Sequence, residues 1–170
     1  MEISLTLFKS AFDNKTHKRM DFQSFSALED LLYQLSKRQL KGKRDAELIS
    51  PATYKPDTTR ANANVLNWAG WCAVDVDDVE IEGELDAWIR NLVPGWRFIC
   101  YSTASSRNDQ PKFRLVFELG EQIEAERIRH FWYALNKELG GIGDTQTKDL
   151  SRMYYIPATY DGANNFIFTG

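Results

Sequence analysis

The chain has 170 residues, enough for one compact domain of ordinary size. Its 43% hydrophobic content, with five Trp and ten Phe, supports a real core and excludes a disordered chain. A net charge of −3 is not that of a generally basic nucleic-acid binder, so any such role has to rest on local charge.

No apolar run approaches the roughly 20 residues that span a bilayer, and the start, Met1 to Phe8, lacks a basic region and a signal-length apolar core. A cytoplasmic monomer with no membrane partner is expected. Cys72 and Cys100 lie in apolar stretches, and His17 and His130 stand apart from them, which leaves no zinc-ligand spacing. Both cysteines are expected as buried, reduced thiols. There is no internal repeat or low-complexity tract.

In chain order, Ile3 to Phe8 alternates and reads as a half-buried strand. Ser26 to Glu29 has the form of a capping box opening a helix, with Phe25, Leu28, Leu31, Leu32 and Leu35 on one face. That helix is expected to end near Gly42, with Lys37, Arg38, Lys41, Lys43 and Arg44 on its last turn, where cations suit the helix dipole. Residues 50–67 read as turn-rich and polar. Trp68 to Val76 reads as a buried central strand. Glu84 to Leu92 is a short helix with Leu85, Trp88, Ile89 and Leu92 inward. Trp96 to Tyr101 and Lys112 to Leu119 are strands. Gln122 to Leu139 is a long amphipathic helix, with Ile123, Ile128, Phe131, Trp132, Leu135 and Leu139 inward, stopped by Gly140 and Gly141. Arg152 to Pro157 and Asn165 to Thr169 close the chain as strands. The class is α+β, a central antiparallel or mixed sheet flanked by helices. One domain is expected, a strand and helix layer over 1–47 and a core over 48–170.

Three segments carry chemistry. The first ends the apolar strand in Asp75, Val76, Asp77 and Asp78. Alternation puts Asp75 and Asp77 on one face, about 7 Å apart, and turns Asp78 away. Two such carboxylates repel unless a cation lies between them, and Mg²⁺ or Mn²⁺ prefers oxygen ligands; the alternative is a solvated strand exit. In the second, a hydroxyl-rich loop holding Ser102, Ser105 and Ser106 leads into a strand with Lys112 and Arg114 on one face. Hydroxyls and cations suit phosphate oxygens, although an ordinary hairpin with a wet cationic face reads the same way. In the third, Asp144 follows a Gly-rich turn, and Ser151 and Arg152 open the next strand. Asp144 either completes a metal site or caps a turn, and Arg152 either holds phosphate or pairs with an acid.

In this order and spacing the segments resemble the motifs of archaeo-eukaryotic-type primases, above all the primase-polymerase domains of phage and plasmid replication proteins. Asp75 and Asp77 match the first motif, Ser102 to Ser106 with Lys112 and Arg114 the second, and Asp144, Ser151, Arg152 and Pro157 the third. Arg60, Asn62, Asn64 and Val65 match an upstream segment of that family. Many members carry a His in the second motif; Ser106 or Arg114 stands there, depending on alignment.

The resemblance implies an RRM-like palm core and a primase or template-directed DNA polymerase in a bacterial or archaeal host. Asp75, Asp77 and Asp144 would be catalytic and hold two Mg²⁺ or Mn²⁺ ions. Ser102, Ser105, Ser106, Lys112, Arg114 and Arg152 would bind the nucleoside triphosphate. Apart from the resemblance, Lys41, Lys43 and Arg44 of the basic cluster, with Arg60, are candidates to bind a single-stranded or primed DNA template, with Tyr54 for stacking; the alternative for the cluster is a solvated helix end. A replicative helicase is the expected partner, and the chain is read as a catalytic module of a longer protein. The alternatives are a catalytically impaired nucleotide or single-strand binding module, or a two-metal nuclease.

Overall fold

Strand β1 covers Ile3–Phe8, as alternation predicts. It is not half-buried, since Ser4 and Thr6 are 3% and 1% exposed. Their hydroxyls are satisfied inside: Ser4 donates to Asp21 at 2.6 Å and Thr6 to the Ala52 carbonyl at 2.7 Å. β2, Arg19–Phe22, pairs antiparallel with β1 and carried no periodic signal of its own. The computed structural model describes residues 1–170, the side chains of Gln146 and Thr147 excepted.

Helix α1 spans Phe25–Ser36 and buries Phe25, Leu28, Leu32 and Leu35. The expected capping box is absent. Ser26 already lies inside the helix, and Arg97 takes its hydroxyl at 2.7 Å and Glu29 at 3.1 Å. The helix also stops six residues short of Gly42. Residues Gln39–Leu40 form β3, drawn into parallel pairing with a later strand, Thr159–Tyr160. The basic cluster therefore follows the helix instead of sitting on its last turn, and the dipole argument does not apply to it.

Residues 50–67 are far less turn-like than expected. β4 (Leu48–Ser50) and β5 (Ala52–Tyr54) flank Pro51, and β6 is Val65–Trp68. These strands are too short for periodicity to show; their pairing is what makes them strands. β7 is Trp71–Val76, α2 Leu85–Leu92, β8 Phe98–Ser102 and β9 Phe113–Glu118. The long helix loses its first turns: Ile123–Glu124 is β10, paired with β6, and α3 proper is Ile128–Glu138. β11 (Tyr154–Tyr155), β12 (Thr159–Tyr160) and β13 (Ile167–Thr169) end the chain.

The architecture is α+β with mainly antiparallel sheets. β11-β4-β1-β2 form one, β10-β6-β5 a second, and β13-β8-β9-β7 a third. The third sheet is covered on both faces. Cys72, Val74, Val76, Cys100 and Leu115 point into one core with α3 and Ile89 of α2. Trp71, Ala73, Ile99, Tyr101 and Val116 point into another with α1 and β1. That double burial is why β7 to β9 read as near-continuous apolar runs.

β7 is the last strand of its sheet, not a central one. Its open edge is capped at alternate carbonyls. The Tyr154 hydroxyl donates to Ala73 O at 3.1 Å, and the Asp144 amide to Asp75 O at 3.0 Å. An unpaired buried carbonyl would be costly, so these contacts let an edge strand be fully buried. Both cysteines are free and buried as expected, and burial pushes the Cys72 thiol up to about 12. Among the described residues no helix is long and apolar enough to cross a membrane.

Candidate active site at the end of strand β7

The apolar run of β7 ends in a buried acid. Register places Asp75 opposite Arg114 of β9, and Arg114 opposite Tyr101 of β8, in one row across three strands. Directly opposed side chains are within contact range, and here they bond. Arg114 Nε donates to Asp75 Oδ1 at 2.5 Å, and Nη1 donates to the Tyr101 hydroxyl at 3.0 Å and to Tyr155 O at 2.8 Å. The guanidinium carbon also lies 5.4 Å from the Tyr101 ring centre and 4.8 Å from that of Tyr154. Burial opposes the charge on Arg114, but Asp75 and Tyr101 outweigh it and hold the group protonated more firmly than usual.

Asp77 follows the strand and is half-buried, while Asp78 is exposed. Burial raises the Asp77 carboxyl pKa, and the negative charges of Asp75 and Asp144 raise it further; Lys112 and Arg114 oppose the shift. Asp144 reaches this neighbourhood through Gly143. A Cβ there would meet Asn136 Oδ1 at 2.7 Å and Val74 Cγ1 at 2.8 Å, closer than atoms tolerate. Gly143→Ala should therefore lift the Asp144 loop off β7. Overpacking of this kind costs about 1–3 kcal/mol, to be read by urea denaturation together with a loss of any activity that needs Asp144.

Asp77, whose carboxyl feels the charges of Asp75 and Asp144, offers with them oxygen donors that suit a hard divalent cation. They do not form a ready-made cage: among the described residues no group of three or more His, Cys, Asp or Glu is arranged to hold a metal ion. The oxygens of Asp75 face Arg114 and, at 3.8 Å, Arg152. The raised pKa of Asp77 has a pH consequence. A carboxyl raised in the folded state favours folding most fully when protonated, and that contribution is lost as pH rises through its folded pKa. Asp77→Asn should accordingly melt above wild type at pH 7 without divalent cations, with the gap closing as pH falls through the carboxylate range.

Asp75, Asp77, Thr103, Ser105, Lys112 and Lys43 share a cleft of about 210 Å³. Of the residues expected to bind the triphosphate, Ser105 and Lys112 face it. Ser102 and Ser106 do not reach out: they are 2% and 0% exposed and bond the chain's own backbone, Ser102 at Phe166 and Ser106 at the Lys112 amide. Arg114 lines the cleft wall, but its bonds go to Asp75, Tyr101 and Tyr155. Of the basic cluster, Lys43 borders the cleft, 6.0 Å from the Tyr155 ring, and Lys41 and Arg44 are exposed beside it. Tyr54, expected to stack on template, is 9% exposed and packs edge-on against Phe8. Thr103, Tyr101 and Tyr155 carried no sequence signal beyond the hydroxyl-rich run, because their roles depend on cross-strand register.

A second cavity of about 280 Å³ adjoins the first and is lined by Arg60, Arg114 and Arg152. The upstream Arg-x-Asn segment has a structural duty here. Asn62 Oδ1 accepts from the Ser151 amide at 3.1 Å and from its hydroxyl at 2.7 Å, and Arg60 Nη1 donates to Ser151 O at 3.4 Å. These bonds clamp the segment that presents Arg152. Arg60, expected on DNA, is thus also a brace.

No family model matches the sequence, and no curated protein matches it. Among solved structures, the chain is similar to the AEP domain of the primase-polymerase of cyanophage S-2L, with 14% identity and a TM-score of 0.50 over 98% of this chain and 80% of that one. At that identity the likeness is one of fold.

Proposed function

We propose that the chain is a nucleotidyltransferase of the primase-polymerase kind, adding nucleotides to a strand on a DNA template in phage or plasmid replication. The observation that carries the reading is the placement of Asp75 and Asp77 at the mouth of a cleft whose other wall offers Lys112, Ser105 and Thr103. The fold likeness to a primase-polymerase domain supports it, as does the order of the three motifs. On this reading β7 to β9 correspond to the RRM-like palm of such enzymes.

Asp75, Asp77 and Asp144 would hold two Mg²⁺ or Mn²⁺ ions, which when bound activate the attacking hydroxyl and neutralise the leaving pyrophosphate. The chain's own residues do the rest. Arg114 pairs with Asp75 and fixes its orientation; it serves the carboxylate rather than the triphosphate. Lys112, with Ser105 and Thr103, offers donors to phosphate oxygens, and Arg152 offers a fork from the adjoining cavity. Lys43, Lys41 and Arg44 form a cationic rim for a template backbone. Positioning and charge neutralisation are most of what phosphoryl transfer requires.

The test is incorporation of labelled nucleotide on a primed template with Mg²⁺ or Mn²⁺ by the wild-type chain, and its loss in Asp77→Asn. A second reading draws on Ser106, whose buried hydroxyl leaves no side chain from that position in the cleft. It makes the chain a nucleotide-binding module without catalysis. Metal-dependent nucleotide binding with no incorporation would select it, and strand degradation without added nucleotide would select a nuclease.

A further inference from the structure

Asp75 has two carboxylate oxygens, and a guanidinium faces each. Oδ1 accepts from Arg114 Nε at 2.5 Å; Oδ2 lies 3.8 Å from Arg152 Nη2. The two contacts differ in kind. The Arg114 side chain is 7% exposed, makes further bonds to Tyr101 and Tyr155, and lies against two tyrosine rings. Moving it would dismantle the row across the sheet. The Arg152 side chain is 31% exposed, its contact is longer than a hydrogen bond, and its Nε is buried with no partner among the described residues. It also borders a cavity lined by three arginines, Arg60, Arg114 and Arg152 itself, against one acid, Asp149, and the Arg60 Nε is likewise buried and unpartnered among the described residues. Arginine does not lose its proton, so such a group is best served by an anion that bonds Nε and Nη together, as a phosphate oxygen pair does.

We propose that Arg152 is an exchangeable counter-ion of Asp75. It faces Oδ2 until a polyphosphate group draws it into the second cavity, and Oδ2 is then open to a divalent cation. This rests on the reading of Asp75 as a metal ligand. It makes metal and nucleotide binding cooperative: a cation arriving alone competes with a guanidinium, and one arriving with polyphosphate does not. Arg114 stays in place throughout and preserves the carboxylate's orientation.

Mn²⁺ alone, titrated onto the metal-stripped chain and followed by loss of the free-ion EPR signal, tests the exchange. Arg152→Gln should bind Mn²⁺ about fivefold tighter than wild type or more, the lower end of ordinary coupling between sites. Arg152→Lys, which keeps a cation there, should stay near wild type. If Arg152→Gln binds no tighter while Asp77→Asn weakens Mn²⁺ binding, the exchange is overturned and the metal-site reading stands. If Asp77→Asn leaves Mn²⁺ binding unchanged, the metal-site reading falls and takes the exchange with it. Should Arg152→Gln prove unfolded by circular dichroism, inorganic sulfate added to wild type gives the same readout. Sulfate should draw Arg152 away and raise Mn²⁺ affinity; no rise overturns the proposal.

Discussion

Asp77→Asn should lose nucleotide incorporation by at least about a hundredfold, the scale of removing one preorganised charge-stabilising group, while melting above wild type at pH 7 without divalent cations. Asp75→Ala should lose activity and stability together. The two acids are two residues apart but differ in burial. The Asp75 side chain is 9% exposed and bonded to Arg114, whose own side chain is 7% exposed. Removing one partner of a buried ion pair leaves the other charge uncompensated, which typically costs about 3–5 kcal/mol. Among the described residues Asp77 has no buried ion-pair partner to orphan, and its loss relieves repulsion from Asp75 and Asp144. Urea denaturation paired with primer extension separates the cases. An Asp77→Asn chain that extends primers at the wild-type rate would end the catalytic reading.

Arg114→Met should likewise destabilise the fold by about 3–5 kcal/mol, since it orphans the other member of the same buried pair. Arg114 neutralises Asp75, bonds the Tyr101 hydroxyl and Tyr155 O, and is packed against the rings of Tyr101 and Tyr154. Lysine should not rescue it, because a point ammonium lacks the planar fork that meets these partners at once. Pairing Arg114→Met with Asp75→Leu should cost less than the sum of the single losses, since no buried charge is then left alone. An unfolding free energy for Arg114→Met within about 1 kcal/mol of wild type would show that the buried pair does not hold the sheet row together.

Much of the frame was open to a reading of residues alone. β1 ends where alternation ends, α2 carries the expected inward face, and the apolar run of β7 terminates in the acids that mark the site. The misreadings share a cause. Ser26 and Glu29 fit a capping box in spacing, but Arg97, 68 residues beyond Glu29, takes both side chains. The strands β4, β5 and β6 are too short to show a period, and β10 was absorbed into a helical pattern because its pairing with β6 is distant in sequence.

Local sequence determined which residue types stand where. It set acids at the end of an apolar strand, hydroxyls and cations in the loop and strand that follow, and a glycine before Asp144. Only the tertiary structure decided what each of them faces. Antiparallel register aligned Asp75, Arg114 and Tyr101 and so turned Arg114 from a phosphate ligand into the partner of the acid. The same packing buried Ser102 and Ser106, made Asn62 and Arg60 a clamp on Ser151, and set Arg152 within reach of both Asp75 and the second cavity. Periodicity reports which way a side chain points along its own element. Which charge it meets there is fixed by elements tens of residues away, paired through backbone bonds that leave no local mark.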